Sequence, residues 1–275
     1  MQFGLPYGIN NKSGIPQNSE IKNILNFAKE NGISFLDTAN AYGEAQVKTG
    51  LLNQNRFNII GKFSAVNSHD ELNAELRKTL SQLKTTSIYG YLAHNADNLI
   101  ANIKLWDVLK QAKSENKIKK IGYSLYHTEQ LEKLLSMNLI PDLVQLPFSL
   151  LDRKFEPYFE ILKNMGTEIH VRSVFLQGLY FMDPLNLPKK LQDLKPSLIQ
   201  LHQICKEQDI EINSLALNYP LLNSFIDKVV IGIDNVSQLK KNLQAIHEGK
   251  FKSFLVGSIE KINGQPNELL NPANW

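Results

Sequence analysis

The amino-acid sequence predicts an α/β protein of the (β/α)8 TIM-barrel class, and three observations carry that expectation. Short apolar runs alternate with amphipathic helical patterns at spacings of roughly 20–35 residues, the signature of parallel strands joined by right-handed helical crossovers. The runs are apolar at nearly every position rather than at alternate ones, as in strands buried on both faces. The open alternative, a doubly wound sheet, asks for G-x-G-x-x-G between its first strand and helix. The nearest candidate, Gly4-x-x-x-Gly8, has the wrong spacing and no strand in front of it.

Residues 1–17 are rich in Gly, Pro and Asn and read as loop. Asn18-Ser19 can cap a helix whose apolar stripe is Ile21, Ile24, Leu25 and Ala28, and Asn31-Gly32 can end it. A strand over 33–39 follows, then a short helix from Gln46 to Leu52 and a strand over 57–63. Ser68-x-x-Glu71 is a capping-box pattern ahead of Leu72, Leu76, Leu80 and Leu83. Beyond the strand over 87–93, Leu99, Ile100, Ile103, Trp106 and Leu109 mark a helix. The strand over 118–125 leads to a helix capped by Thr128 and carrying Leu131, Leu134 and Leu135. Pro141 precedes the strand over 142–147, a helix is expected from Asp152 to Met165, and 168–174 is the next strand. After a Pro-rich loop, helices are expected from Pro196 to Gln208 and from Ser214 to Leu222. The last strand is 227–233, and Leu239, Leu243 and Ile246 mark the last strong helix. The tail from Gly257 to Trp275 reads as irregular. Seven strands are one short of eight, and the gap falls at the N-terminus, so the first barrel strand is expected to be missing or truncated.

The 275 residues, 43% hydrophobic and 21% charged, suit one folded barrel domain over 1–275, since such barrels run to about 250 residues. A net charge of +3 with scattered basic residues argues against a nucleic-acid partner. The one basic run, Lys117-Ile118-Lys119-Lys120, lacks interleaved aromatics and reads as a solvated helix-to-strand connection. The single cysteine, Cys205, excludes an intrachain disulfide and suits a reducing compartment. No run of 18 apolar residues and no secretory leader pattern is present, so a cytoplasmic protein that does not enter membranes is expected.

In such barrels the reacting groups stand at the C-terminal ends of strands. Three consecutive expected strands end near Asp37, Lys62 and His94, with Tyr42 on a Gly-marked turn after the first. Each residue alone could end a strand or pack a turn; the conjunction of carboxylate, ammonium, imidazole and phenol at one level points to chemistry. A tyrosine ordinarily ionises near pH ~10, and a neighbouring ammonium is expected to lower that value. Asp37 would hold the Lys62 charge, because a buried ammonium needs a partner. Tyr42 could then protonate a carbonyl oxygen as hydride reaches its carbon, and a neutral His94 could orient that carbonyl. Proton transfer of this kind contributes ~10²–10⁴ in rate.

Leu36-Asp37-Thr38-Ala39 with Tyr42-Gly43, Lys62 and His94 resembles the Asp–Tyr–Lys–His tetrad of the aldo-keto reductases. The resemblance runs on through Gly122-Tyr123-Ser124, the segment from Gln145 to Arg153, Arg172 to Gly178, and Val230-Ile231-Gly232 with Asn242-Leu243, and so covers nearly the whole chain. It implies a (β/α)8 barrel that reduces a small aldehyde or ketone with a nicotinamide cofactor, usually NADPH, with NADH possible. It also implies that Tyr42 is the general acid, tuned by Lys62 and Asp37, and that His94 orients the substrate. By the same resemblance Ser124 and Gln145 hold the nicotinamide carboxamide. Arg172 stands where an aromatic often stacks on the nicotinamide, a role a guanidinium plane can also fill; a salt bridge to a barrel carboxylate is the alternative. Ser173, Leu176, Gln177 and Gly178 match the pyrophosphate loop. Gly232, Asp234, Gln238 and Asn242 fall in the segment that meets the adenosine end. No metal is implied.

Four departures from the pattern stand out. Leu125 replaces the usual Asn after Ser124. Gln46 replaces a common Glu, loosening an adenosine-side contact. Gly232 and Gln238 lack the Lys or Arg that grips a 2′-phosphate in many NADPH-preferring members; Lys240 or Lys241 could substitute, while Asp234 would repel a phosphate and accept from a ribose hydroxyl. Met1 stands where the first strand should already have ended, so a start upstream is expected. The alternative function is a catalytically weak or inactive barrel that binds cofactor for regulation. A metal-dependent hydrolase finds no support, because the six histidines form neither H-x-H nor H-E-x-x-H.

Overall fold

A computed structural model describes residues 1–9, 11, 14–53, 56–249 and 251–275. Its elements in chain order are α1 (Asn18–Glu30), β1 (Phe35–Asp37), α2 (Ala45–Leu52), β2 (Asn58–Phe63), α3 (His69–Leu83), β3 (Ile88–Ala93), α4 (Ala96–Ala101), α5 (Leu105–Ser114), β4 (Ile118–Ser124), α6 (Thr128–Ser136), β5 (Leu143–Pro147), α7 (Phe159–Asn164), β6 (Glu168–Arg172), α8 (Lys195–Glu207), α9 (Ile212–Leu221), β7 (Lys228–Val229), α10 (Val236–His247) and α11 (Leu255–Glu260). All seven strands are parallel and neighbour one another in sequence order, β1 to β7, in one curled sheet with the helices outside it.

Burial explains the apolar runs. Every residue of the interior strand β5 is buried, whereas β1 and β7, each paired on one side only, are half-buried. A continuous apolar core from Ile59 to Leu270 fills the space between the sheet and the helices, and each fully buried Leu or Ile there contributes roughly 1.5–3 kcal/mol. Close backbone approach needs glycine at several points, two of them in this scaffold between neighbouring elements. A Cβ on Gly122 would lie 1.7 Å from the Leu143 carbonyl oxygen on the next strand, and one on Gly50 would lie 2.1 Å from the Gln82 carbonyl oxygen where α2 meets α3.

No strand precedes Phe35 among the described residues, and β1 and β7 do not pair with each other. The upper end of that gap is bridged by the first residues. The Gln2 amide lies against Gly232, and Phe3 packs both on the Ile21–Leu25 cluster, beside Leu36 and Ile233, and on the Tyr42 cluster.

Several expected boundaries change for physical reasons. The last strand shrinks from 227–233 to two residues, because the edge strand has no outer neighbour to extend its ladder. The helix around 99–109 is two helices, broken where the Asn102 amide and backbone N–H both return to the Asn98 carbonyl. The helix expected from Asp152 forms only as a 3-10 turn at Glu156–Tyr158 and α7. α1 begins after Gln17, which makes no side-chain cap, so Asn18 and Ser19 lie inside the helix. Thr128 is likewise inside α6, whose entry is tied by Gln130 Oε1 accepting from the Tyr126 and His127 N–H groups. The Ser68 cap forms, while Glu71 reaches back to Asn67 N–H. The tail is not wholly irregular: it holds α11 and two 3-10 turns.

Candidate active site

The upper ends of β1, β2, β3, β5 and β6 converge on one set of side chains. Lys62, 1% exposed, sends its ammonium to Asp37 Oδ1 at 2.5 Å and to the Thr38 carbonyl at 3.3 Å. The other carboxylate oxygen of Asp37 accepts from Gln145 Nε2 at 2.8 Å, across the barrel. Burial works to raise the Asp37 carboxyl, but the Lys62 charge and the hydrogen bonds from Lys62 and Gln145 outweigh it and hold the group below the usual carboxylate range.

Tyr42 and His94 stand beside this pair. The Tyr42 ring centre is 5.3 Å from the Lys62 nitrogen, and the rings of Tyr42 and His94 meet edge-on at 5.4 Å and 85°. Neither the Tyr42 hydroxyl nor the His94 imidazole has a hydrogen-bond partner among the described residues. Burial, with the Lys62 charge, pulls His94 down to about 4, so its ring is neutral. The expected lowering of the Tyr42 phenol is corrected: burial first, then the Asp37 charge, push it above its ordinary value, and Arg172 opposes only in part. A carboxylate 2.5 Å from the ammonium cancels most of the field that was expected to favour phenolate.

Two backbones lock the Tyr42 turn from the front. A Cβ on Gly4 would lie 1.9 Å from the Tyr42 carbonyl oxygen, and one on Gly43, whose φ is +54°, would lie 2.6 Å from the Gly4 carbonyl oxygen.

Arg172 ends β6. Its guanidinium lies 4.2 Å over the Tyr126 ring and donates to the Leu125 carbonyl at 2.8 Å and Ser173 Oγ at 3.2 Å. It forms no ion pair with a carboxylate among the described residues. Beside it lies a shallow crevice lined by Tyr126, Asp152, Lys154 and the tail at Leu270 to Pro272. Ser124 pairs in register with Gln145 at the strand ends. The loop after β6 adopts left-handed φ at Ser173 (64°), Leu176 (45°), Gln177 (52°) and Gly178 (94°). Gln177 Nε2 donates to the Tyr7 hydroxyl at 2.6 Å, which ties that loop to the N-terminal one. Tyr7 was not singled out by the sequence; it lies in a Gly-rich loop whose position no pattern discloses.

The remaining expected residues gather separately, at the start of α10. Asn235 Oδ1 accepts from Gln238 N–H at 2.9 Å, and Gln238 Oε1 accepts from Asp234 N–H at 2.8 Å. Gly232 is exposed beside Gln2, and Asn242 is buried under α10. The Lys240 nitrogen stands 5.3 Å over the Phe27 ring of α1. Gln46 is 1% exposed and bonded to Asn40, so its amide is held behind the Tyr42 turn rather than toward an adenosine. No three His, Cys, Asp or Glu side chains among the described residues are grouped to hold a metal ion, and no helix there is long and apolar enough to cross a membrane.

Comparison with known proteins adds an independent line. The uncharacterised oxidoreductase YqkF of Bacillus subtilis is 24% identical over 252 residues, covering 81% of this chain and 80% of that one. The chloroplastic pyridoxal reductase of Arabidopsis thaliana is 26% identical over 273 residues, covering 82% and 72%. Among solved structures, the holo form of the aldo-keto reductase AKR11C1 from Bacillus halodurans superposes with a TM-score of 0.74 at 23% identity, over 90% of this chain and 88% of that one. A sequence model of the Aldo/keto reductase family matches residues 2–264, which is nearly the whole chain, and with this barrel and this strand-end cluster the protein belongs to the aldo/keto reductase family.

Proposed function

We propose that the chain reduces an aldehyde or ketone to an alcohol by hydride transfer from NAD(P)H, with Tyr42 as the general acid. The observation that carries this reading is a neutral phenol and a neutral imidazole, edge to edge beside the buried Asp37–Lys62 pair.

The residues fit a nicotinamide cofactor by their donor chemistry. Ser124 and the Gln145 amide oxygen can accept from a carboxamide, although Gln145 Nε2 is engaged by Asp37. The turns from Ser173 to Gly178 take left-handed φ at four positions, a backbone shape met in anion-binding loops, although the Leu176 and Gly178 N–H groups already donate to the Ser173 and Phe175 carbonyls. Arg172, whose guanidinium carbon lies 4.2 Å from the centre of the Tyr126 ring, is a planar group able to stack on a planar ring. When bound, the cofactor supplies the hydride. Tyr42 keeps its proton at neutral pH because burial holds the phenol un-ionised, and it releases that proton only to the alkoxide oxygen that forms. His94 Nδ1 or Nε2, uncharged, donates one hydrogen bond to the same oxygen and fixes its direction. Lys62, held by Asp37 and the Thr38 carbonyl, offers the phenolate left behind only the part of its field that Asp37 does not cancel.

Tyr42→Phe is expected to lower kcat by ~10²–10⁴ while NAD(P)H still binds, read by cofactor fluorescence titration and turnover on a carbonyl panel. Undiminished turnover would refute the assignment of the acid.

For the cofactor, the resemblance supports NADPH, whereas the start of α10 supports NADH. Gly232 and Gln238 carry no charge, Asp234 would face a 2′-phosphate, and Lys240 is turned to α1. We propose that both are accepted. A Gln238→Arg substitution is expected to raise kcat/KM for NADPH relative to NADH by roughly tenfold, the scale of one charge-assisted hydrogen bond. A single domain over 1–275 and a cytoplasmic location, the latter resting on the lone cysteine, complete the reading.

A further inference from the structure

Behind the turn that carries Tyr42, four polar side chains link the barrel wall to the helices. Asn40 Oδ1 accepts from Gln46 Nε2 at 2.5 Å and from Thr79 Oγ1 at 2.8 Å. Thr79 Oγ1 in turn lies 3.3 Å from the Tyr91 hydroxyl. Gln46 is 1% exposed, and Thr79 and Tyr91 are fully buried. Two glycines make the room. Gly61 is the register partner of Tyr91, and a Cβ there would meet the Tyr91 ring at 3.2 Å. Gly50 lets α2 touch α3 one turn beyond Gln46.

Polar groups this deep are costly unless bonded, and here they converge on one acceptor atom. That atom belongs to the residue between Asp37 and Tyr42. Asn40 is also tied from the front, its N–H donating to the Lys62 carbonyl at 3.0 Å. Asn40 Nδ2 has no partner among the described residues, so the bracing runs through Oδ1.

We propose that Thr79 is a positioning residue for the acid. With Gln46 and Tyr91 it clamps Asn40, and Asn40 holds the 38–44 turn so that the Tyr42 hydroxyl stays beside His94 and Lys62. The inference rests on the reading of Tyr42 as the acid and reaches to Thr79 on α3, outside the strand-end cluster.

The test compares Thr79→Val, which keeps the shape and removes the hydroxyl, with Thr79→Ser, which restores it. In Thr79→Val kcat is expected to fall about tenfold, the scale of one lost hydrogen bond, with KM for cofactor and carbonyl within twofold. Thr79→Ser should recover most of kcat. The double variant Thr79→Val, Tyr42→Phe should be no slower than Tyr42→Phe alone, because both act through one hydroxyl. Full kcat in a folded Thr79→Val, or a further tenfold loss in the double variant, would overturn the proposal. If the unsubstituted protein reduces no carbonyl, the functional reading fails by itself. The brace is then judged by amide hydrogen exchange over residues 38–45, which should quicken in Thr79→Val and recover in Thr79→Ser; unchanged exchange would overturn it.

Discussion

At the upper end of the barrel a carboxylate, a lysine, a tyrosine and a histidine meet as Asp37, Lys62, Tyr42 and His94; at the lower end the same four types meet as Glu168, Lys120, Tyr89 and His170. The lower carboxylate accepts from all three of its neighbours, Tyr89, Lys120 and His170, each at 2.7 Å. Burial opposes its ionisation, but those hydrogen bonds outweigh burial and hold Glu168 well below the usual range. The upper carboxylate takes only the lysine of its quartet and fills its second oxygen with Gln145. The upper phenol and imidazole are left without a hydrogen-bond partner among the described residues. Residue type is equal at the two ends; what differs is which donors the carboxylate has consumed. A saturated quartet is a staple, and an unsaturated one is available to a carbonyl oxygen.

That contrast can be broken by substitution. Lys62→Met should show the largest effect. It removes the charge beside Tyr42 and leaves Asp37 buried with Gln145 alone, so turnover should drop by roughly 100-fold or more and denaturant stability by about 3–5 kcal/mol. Glu168→Gln should do the reverse: a stability loss of about 2–3 kcal/mol from the unpaired Lys120, seen as a lower urea midpoint, with kcat within about threefold of the parent. A kcat loss in Glu168→Gln as large as in Lys62→Met would erase the distinction between the two ends.

A smaller effect concerns pH. His94 is pulled down to about 4 from its ordinary 6.5, so between those values the unfolded chain binds a proton that the folded one does not. The stability is fully present above pH 6.5 and falls as pH drops from 6.5 toward 4, by about 2–3 kcal/mol. Thermal melts of the parent and His94→Gln across that window should converge in slope if another group is responsible, and the parent alone should show the extra loss if His94 is.

The barrel and the meeting of Asp37, Tyr42, Lys62 and His94 were legible because they rest on local signals: apolar runs, and a reactive side chain at or just beyond each run's end. The Asp37–Lys62 contact followed from adjacent strands and the need of a buried ammonium for a partner. The Gln145–Asp37 bond did not, since it joins residues 108 positions apart across the lumen, and no pattern in either segment encodes that facing. The direction of the Tyr42 shift was misjudged because burial depth and charge cancellation are properties of the assembled site. The brace through Thr79 was hidden for a simpler reason: at its position on α3 a threonine reads as one more small buried residue. The ends of the sheet were overestimated because hydropathy marks Val230, Ile231 and Ile233 as strand-like, while a ladder also needs a neighbour to bond.

The Gln145–Asp37 bond also bears on mechanics. β1 is three residues long and hydrogen-bonded as a strand on one flank only, yet it carries the carboxylate that anchors Lys62. A strand bonded on one flank can bend and twist more freely than one bonded on both. A tie from an interior strand across the lumen to the terminal one works as a crossbar against that flexing. Loosening it would let the Asp37 carboxylate, and with it the Lys62 ammonium, shift against the Tyr42 ring that now stands 5.3 Å away.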